Sequence, residues 1–229
     1  MATIMYFRFH KEISAALIIL FLLVIFFYFI YTPLFFISII FLLFTFYFFR
    51  DPERTVPIGE DILVSPADGI ITNISEVKEG KKNHTKVSIF LSVFNVHIQR
   101  LPVSGEISKI DYFEGKFINA TLDKASEENE RLKLTIKSGN NIIHVTQIAG
   151  LIARRIICNV KLKDKINQGD RYGIIKFGSR VDIEFPNNFN LLVNVGQQCI
   201  GGETIICLLY TSDAADDSLR VDLGGRRII

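Results

Sequence analysis

A long apolar segment dominates the N-terminal part of the sequence. No charged residue occurs from Ile13 to Phe49. Such a segment partitions into hydrocarbon, and it is too long and too aromatic for a cleaved signal peptide. Thr32 and Pro33 divide it into two parts, each close to the roughly 17 to 25 residues that a spanning helix needs. The sequence therefore predicts a membrane anchor over residues 1–50, built as a transmembrane hairpin of two short apolar helices.

Basic residues flank this segment on both sides. Arg8, His10 and Lys11 precede it, and Arg50 and Arg54 follow it. Positively charged flanks stay on the cytoplasmic side of a membrane, so we expect both ends of the hairpin and the domain that follows to be cytoplasmic. A single long tilted span is the alternative, and it would place that domain on the side opposite to the N-terminus.

The composition narrows the class of protein further. The chain has 229 residues and a net charge of +2, without a basic stretch able to neutralise a nucleic-acid backbone. We therefore expect no nucleic-acid partner. Cys158, Cys199 and Cys207 lack the spacing of metal ligands. They are predicted to be small core residues in a reducing compartment, and no metal is expected.

After the anchor the sequence changes to short segments rich in β-branched and aromatic residues, separated by Gly, Asn, Asp or Pro. This pattern predicts a mainly β domain, barrel or sandwich-like, over residues 51–207, entered through the proline-containing linker RDPERTVP. Residues 208–229 show neither strand alternation nor an amphipathic helix. We interpret them as a non-native or disordered tail and exclude them from the predicted fold.

The segment KFGSRVDIEFP, residues 176–186, has the pattern of a half-buried strand that follows a Gly-Ser pair. Its alternating apolar residues are Val181, Ile183 and Phe185. Considered alone, Gly178 and Ser179 suit a two-residue hairpin loop, because glycine accepts positive φ without steric cost.

Several polar residues lie in apolar surroundings, and each has an ordinary structural explanation. Asp68 in SPADG suits an Asx turn closed by the following glycine. His97 and Arg100 lie in the apolar segment FLSVFNVHIQRLP, where a histidine is usually a half-buried structural residue. Arg154 and Arg155 in IARRIIC are expected on opposite faces of a strand, and ion pairs within the domain would account for them.

The order of six blocks gives these residues a common context. The blocks are FFRDPER, SPADG, FLSVFNVHIQRLPVSG, GKFINATLDKASEENER, QIAGLIARRIICNV and GDRYGIIKFGSRVDIEFP. Together they resemble the short, membrane-associated bacterial form of the phosphatidylserine decarboxylase proenzyme family. The resemblance covers roughly residues 45–207, and several blocks in register are far more specific than any one motif.

The resemblance implies that the chain cuts itself between Gly178 and Ser179. In this family the new terminal serine becomes a covalent pyruvoyl group, which serves as the electron sink for decarboxylation. The resemblance thus implies a β chain, residues 1–178, and an α chain, residues 179–229, that remain associated as a heterodimer. No metal or dissociable cofactor is implied.

A serine hydroxyl needs a base to become a nucleophile. From the family motifs, the resemblance implies His97 as this base and as the later proton donor, and Asp68 as the carboxylate that orients it. His144 is the rival base. Asn95 stands where the family usually has aspartate, which removes an acid beside His97.

The implied substrate is phosphatidylserine, converted to phosphatidylethanolamine and carbon dioxide at the membrane. Arg100, Arg154 and Arg155 are candidates for binding the head-group phosphate or carboxylate, because guanidinium matches both. Two other functions stay open at this point. A membrane-anchored serine hydrolase would use Ser179 on an external ester, and a non-catalytic lipid-binding β module would use it only as a turn residue.

Overall fold

The computed structural model describes residues 8–57, 59, 61–80, 82–116, 128–150, 155–176 and 179–209. Two apolar helices begin the described chain, α1 (Ile13–Ile30) and α2 (Thr32–Phe48). Pro33 lies in the first turn of α2, where its missing N–H has no helical partner to lose. The remaining elements are strands, so the prediction of a mainly β domain preceded by two helices is confirmed.

Helix α1 has the length and the apolar composition needed to cross a membrane, and 6% of it is buried. Its side chains therefore face outward instead of packing in a protein core. Helix α2 is 17 residues long, slightly shorter than the usual spanning length.

The two ends of the helical pair meet in a short bridge. Phe9 pairs with Arg50, and the Asp51 N–H donates to the Arg8 carbonyl at 2.8 Å. The His10 N–H donates to the carbonyl of the residue that follows α2 at 3.1 Å. The helices thus form a closed hairpin whose two ends lie side by side against the β domain.

Fourteen strands follow in the described ranges. They are β1 (Ile62–Val64), β2 (Gly69–Glu79), β3 (Lys82–Leu91), β4 (Ile98–Arg100), β5 (Gly105–Phe113), β6 (Arg131–Ser138), β7 (Asn141–Ala149), β8 (Ile156–Cys158), β9 (Lys165–Ile166), β10 (Arg171–Ile175), β11 (Ser179–Pro186), β12 (Phe189–Leu191), β13 (Gln198–Cys199) and β14 (Ile205–Leu209).

Eight of these strands form one curled antiparallel sheet in the order β13-β2-β3-β11-β7-β6-β5-β9. Strand β11 is central, because β3 pairs with one of its edges and β7 with the other. Val181, Ile183 and Phe185 are fully buried in the main hydrophobic core, as the period of two predicted. The sheet closes partway around this core, as a half-barrel.

Two three-stranded sheets, β1-β14-β12 and β4-β10-β8, complete the domain. Strands β10 and β11 therefore belong to different sheets. The hairpin-loop interpretation of Gly178 and Ser179 is wrong, because a two-residue hairpin turn requires its flanking strands to pair with each other. Gly178 itself lies outside the described residues.

The C-terminal boundary lies slightly later than predicted. Leu208 pairs with Ile62 of β1, and Leu209 pairs with Phe189 of β12, so β14 continues past residue 207. These leucines belong to a small three-stranded sheet, and the sequence did not predict a strand there because it shows no alternation of polar and apolar residues. The origin of the tail stays a prediction for residues 210–229, which lie outside the described ranges.

The three cysteines are free thiols. Cys199 and Cys207 are buried in the main core, and Cys158 is half-buried against it. Burial raises the pKa of Cys199 to about 11, which keeps this thiol protonated. The predicted role as small core residues is confirmed for these two buried cysteines.

Candidate functional site

Ser179 is the first residue of β11 and is completely buried. It lies directly opposite Leu91 of β3 and Ala149 of β7, so backbone pairing surrounds it on both edges. Its hydroxyl Oγ is buried and finds no hydrogen-bond partner among the described residues. A buried hydroxyl without a partner is uncommon in folded proteins, and a catalytic role is one of the explanations for such a group.

Asn129 supports the strand beside Ser179. Its side-chain amide donates to the Ala149 carbonyl at 2.7 Å, and the Ala149 N–H donates to the Glu130 carbonyl at 2.9 Å. Asn129 is fully buried, although it comes from the charged segment KASEENER. Sequence analysis missed it because its neighbours are typical of a solvated surface.

His97 precedes β4 and is also completely buried. Its ring packs on Phe48, at the end of α2, with 4.2 Å between ring centroids. Nδ1 lies 2.9 Å from the Asn95 carbonyl oxygen. A carbonyl only accepts, so Nδ1 carries the proton and the lone pair of the neutral ring is on Nε2. Burial lowers the pKa of His97 to about 4, with a further contribution from Arg50, so His97 is neutral at pH 7.

The side chain of Asn95 has a role that does not depend on charge. Its Oδ1 accepts hydrogen bonds from the Ser92 N–H at 2.9 Å and from the Ser92 hydroxyl at 2.8 Å. This contact closes the turn that leads into His97, while the Asn95 backbone carbonyl holds the ring. His97 is therefore oriented without an acid at position 95.

Asp68 lies in the turn between β1 and β2. Its Oδ2 accepts from Arg54 at 2.7 Å, and its Oδ1 accepts from the Gly201 N–H at 2.8 Å. Burial raises the pKa of this carboxyl, and Arg54 opposes the rise. Neither contact joins Asp68 to His97.

Asp68 and His97 nevertheless share a neighbourhood. The Arg100 N–H donates to the Pro66 carbonyl at 2.8 Å, which ties the turn that carries Asp68 to the strand after His97. Arg50 lowers the pKa of both groups through its charge, so it lies within electrostatic range of each.

The predicted linker is bound firmly to the β domain. Arg50 donates to the Phe94 carbonyl at 2.7 Å, and Asp51 accepts from Arg171 at 2.7 Å. With the Arg54–Asp68 pair, these contacts hold the hairpin against the loop that carries His97.

The three candidate arginines differ in placement. Arg100 is 6% exposed and donates to the carbonyls of Pro52 and Gly169 at 2.8 and 2.9 Å. Arg100 Nη2 also lies 3.7 Å from Asp51 Oδ1, so Arg100 has an ion pair within the protein. Arg155 is exposed beside β8, and its charge acts on Glu12 at the start of the hairpin. Arg154 lies outside the described residues.

His144 lies too far from Ser179 to act on it directly. It pairs with Glu184, and Ala149 pairs with Ser179 on the same two strands. Five residues of strand separate the two positions, a distance of about 17 Å. The rival base is therefore excluded as a direct contact of Ser179.

A cavity of about 500 Å³ lies at the far end of the main sheet, lined in part by Leu63, Val103 and the turn between β6 and β7. Strand β7 runs from this turn to Ala149, about 26 Å away at the spacing of a strand. The cavity is therefore separate from Ser179.

Two further buried polar residues lie near Ser179, and sequence analysis did not identify them. Gln99 and Gln147 are fully buried, and Gln147 Nε2 donates to Gln99 Oε1 at 3.0 Å. The sequence feature that could have identified them is a glutamine within each of two largely apolar segments.

A buried hydroxyl at a strand end and a buried neutral imidazole thus lie in neighbouring segments, and no hydrogen bond joins them, because Ser179 Oγ has no partner in the described residues. Leu91, opposite Ser179, is joined to His97 by the turn that Asn95 closes. Lys176, three residues before Ser179, pairs with Glu12 of the hairpin at 3.1 Å. A nucleophile and a base are the groups that acyl transfer requires.

Comparison with known proteins assigns the chain to a family. The family model described as phosphatidylserine decarboxylase matches residues 41–207. A phosphatidylserine decarboxylase proenzyme of Ehrlichia chaffeensis (strain ATCC CRL-10679 / Arkansas) is 49% identical over 210 residues, which are 90% of this chain and 92% of the relative. Proenzymes of the same name from Ehrlichia ruminantium strains Welgevonden and Gardel are 49% and 48% identical over 205 residues, covering 87% of this chain and 90% of each relative. The chain therefore belongs to the phosphatidylserine decarboxylase family.

Proposed function

We propose that the chain is a self-processing, pyruvoyl-dependent carboxy-lyase that converts phosphatidylserine to phosphatidylethanolamine and carbon dioxide at a membrane. Its relatives carry the name phosphatidylserine decarboxylase proenzyme. The observation that carries the proposal is the buried, unpartnered hydroxyl of Ser179 at the head of the central strand. The peptide bond before Ser179 is the acyl group next to this hydroxyl in the chain, and the relatives are named as proenzymes, which favours this internal target over the external ester of a serine hydrolase.

The internal target is the peptide bond before Ser179. Its Oγ attacks the Gly178 carbonyl, the C–N bond breaks, and the Oγ proton passes by way of a base to the released amine. Loss of the Ser179 Cα proton then expels the new ester as the carboxylate of Gly178. Hydrolysis of the resulting dehydroalanine releases ammonia and leaves the pyruvoyl group. Glycine suits position 178 because it tolerates the backbone distortion that the attack needs.

His97 is the proposed base. It is neutral at physiological pH because burial keeps its pKa near 4, and the Asn95 carbonyl fixes the tautomer with the lone pair on Nε2. Asp68 is the proposed carboxylate partner. Its support is the hydrogen bond that ties its turn to the strand after His97, and the charge of Arg50 that both groups experience.

Residue 179 suits a pyruvoyl group because a buried position shields a reactive carbonyl from water. Once formed, this group supplies the electron sink for loss of the substrate carboxylate. His97 returns a proton to the substrate carbon after the carboxylate has left. Among the three candidate arginines, Arg155 is the proposed partner of the head-group phosphate. It is exposed, and its guanidinium matches a phosphate in geometry and charge.

The two chains produced by the cut stay together in this proposal. Strand β11 begins the α chain, and it pairs along both edges with β3 and β7 of the β chain. Strand β14 of the α chain likewise pairs with β1 of the β chain.

The helical hairpin is the proposed membrane anchor, with the β domain on the cytoplasmic side. The bridge between Phe9 and Arg50 puts both ends of the hairpin on one side, which supports a hairpin over a single span. The basic flanks then lie together at that side, and the positive-inside rule makes it cytoplasmic.

Intact mass spectrometry of the denatured protein, with and without borohydride reduction, tests the proposal. We expect two chains, the smaller beginning at residue 179, about 17 Da lighter than its serine form and gaining about 2 Da on reduction. Ser179→Ala should remain one chain and form no phosphatidylethanolamine. A wild-type chain of full mass without lipid turnover would contradict the proposal.

A further inference from the structure

A pair of buried amides connects the two sheets beside Ser179. Gln99 of β4 and Gln147 of β7 are both fully buried and joined by one hydrogen bond of 3.0 Å. In the part of the chain that the structure describes, Gln99 Nε2 and Gln147 Oε1 have no partner. A buried donor and a buried acceptor are thus left unpaired side by side, which is unfavourable unless a ligand binds them.

The two amides leave one donor and one acceptor unpaired whichever atom of each amide is assigned as oxygen and which as nitrogen. Exchanging oxygen and nitrogen in both side chains gives the same N–H···O bond and again leaves one amide nitrogen and one carbonyl oxygen unpaired. Exchanging only one would put two like atoms in contact. The pair always offers one donor group and one acceptor.

The strand register places this pair beside the reacting residue. Val181 lies opposite Gln147, and Ser179 lies opposite Ala149, so Ser179 and Gln147 are diagonal neighbours on one face. Gly173 of β10 makes room for the pair, because a Cβ there would come within 2.9 Å of Gln147 Nε2.

We propose that Gln99 and Gln147 bind the serine head group of the lipid, with the Gln99 amide donating to the substrate carboxylate and the Gln147 carbonyl accepting from the substrate amine. This inference rests on the function proposed above. An amino acid head group presents an acceptor and a donor on the same carbon, which matches the two unpaired amide atoms. The Gln147 contact would hold the amine next to residue 179.

Neutral amides suit this step better than a guanidinium does. The carboxylate must leave as neutral carbon dioxide, so any interaction with its charge is lost during the reaction. A hydrogen bond from a neutral donor is about half as strong as one from a charged donor, and less is therefore lost. The nearby Arg180 is on the opposite face of β11, where Asp182 and Ser88 bind it.

The competing explanation is that the amides only tie β4 to β7. The double variant Gln99→Leu/Gln147→Leu separates the two explanations, because it replaces both partners by apolar groups of similar size. Such a replacement is close to neutral for folding. We expect complete cleavage by intact mass spectrometry, an unfolding midpoint within about 3 °C of wild type, and a kcat/KM on short-chain phosphatidylserine reduced about 10- to 100-fold.

Thr146→Val is the matched control. Thr146 is the neighbour of Gln147 on β7 and faces the other side of the sheet, opposite Asp182. It should leave cleavage and kcat/KM unchanged. A double variant with wild-type kcat/KM would show that the amide pair is only structural, and loss of cleavage or a large drop in the unfolding midpoint would assign it to self-processing or to folding. Each of these results would overturn the proposal.

Two isosteric variants test the assignment of the groups. Gln99→Glu puts negative charge beside the substrate carboxylate, whereas Gln147→Glu puts it beside the amine. We expect Gln99→Glu to lower kcat/KM at least about 10-fold more than Gln147→Glu. Equal effects or the reverse order would overturn the assignment. If the wild-type protein itself lacked the pyruvoyl group or lipid turnover, the proposed function would fail instead, and the mass and lipid assays identify that case separately.

Discussion

The two faces of strand β11 differ in whether their buried polar side chains have hydrogen-bond partners. On one face, Arg180 donates to both carboxylate oxygens of Asp182, at 2.6 and 3.1 Å, and to the Ser88 hydroxyl at 2.7 Å. On the other face, the Ser179 hydroxyl has no partner in the described ranges. One face is charged and paired, and the other is neutral and unpaired.

This difference separates polar groups that serve folding from polar groups that serve chemistry. A buried charge is tolerated only when it is paired and hydrogen-bonded, so neither Arg180 nor Asp182 can be buried in β11 without the other. A neutral hydroxyl is less costly to leave unpaired, and it stays available for a reaction. Alternation along one strand lets both coexist on adjacent residues.

The paired face should fail most severely when one charge is removed. Arg180→Leu leaves Asp182 buried without its counter-ion, and we expect the free energy of unfolding to fall by about 3–5 kcal/mol. Chemical unfolding of the uncut Ser179→Ala chain in detergent measures this change on a single polypeptide. Arg180→Leu/Asp182→Leu is the control, since removing both charges should recover most of the loss. A fall below about 1 kcal/mol in the single variant would mean that the pair does not stabilise β11.

The buried imidazole of His97, the proposed base for Ser179, should alter the pH dependence of stability. Burial lowers the pKa of His97 from 6.5 to about 4 in the folded chain. Between these two pH values the unfolded chain therefore binds the proton more readily than the folded chain. The contribution of neutral His97 to the free energy of unfolding is fully present above pH 6.5 and is lost as the pH falls toward 4. Between pH 7 and pH 4, Ser179→Ala should lose about 3 kcal/mol more than Ser179→Ala/His97→Gln.

The difference between these two chains isolates His97 because other titrating groups are shared. His10, whose pKa burial also lowers, and Asp68, whose pKa burial raises, contribute to both. Parallel pH curves for the two chains would show that the pKa of His97 is the same in the folded and unfolded chains, so burial would not be what keeps this base neutral.

A smaller effect is expected from the hydroxyl on the paired face. Ser88→Ala removes one acceptor from Arg180, and a hydrogen bond to a charged group contributes about 2 kcal/mol. We expect that loss in the Ser179→Ala background by chemical unfolding. No measurable loss would indicate that Asp182 alone satisfies Arg180.

The sequence predicted the strands, because alternation is a local property, and the resemblance to a family supplied the candidate site residues. The period of two identified Val181 and Ile183 as core residues. Ser179 and His97 came from motifs, and burial of both residues is consistent with their proposed roles.

Pairing between distant strands could not be predicted in the same way. The local Gly-Ser pattern suggested a hairpin, but β10 and β11 pair with strands from four other parts of the chain. The amide contact between Gln99 and Gln147 likewise depends on two sheets meeting. Such contacts bring together residues far apart in sequence, and no local periodicity encodes them.

The smallest effect is expected from removal of the Ser179 hydroxyl itself. His97→Gln provides an uncut background if His97 is the base, and intact mass confirms this before any stability is compared. In that background, Ser179→Ala should lower the free energy of unfolding by less than about 0.5 kcal/mol or raise it, because the hydroxyl has no bond to lose and its burial without a partner is itself unfavourable. Ser88→Ala in the same chain is the matched control and should still cost about 2 kcal/mol. Two serines on neighbouring strands, both fully buried, would then differ only in whether a partner is present. Equal losses at the two positions would mean that Ser179 is held by a hydrogen bond in the precursor, and the division between a paired and an unpaired face would not hold.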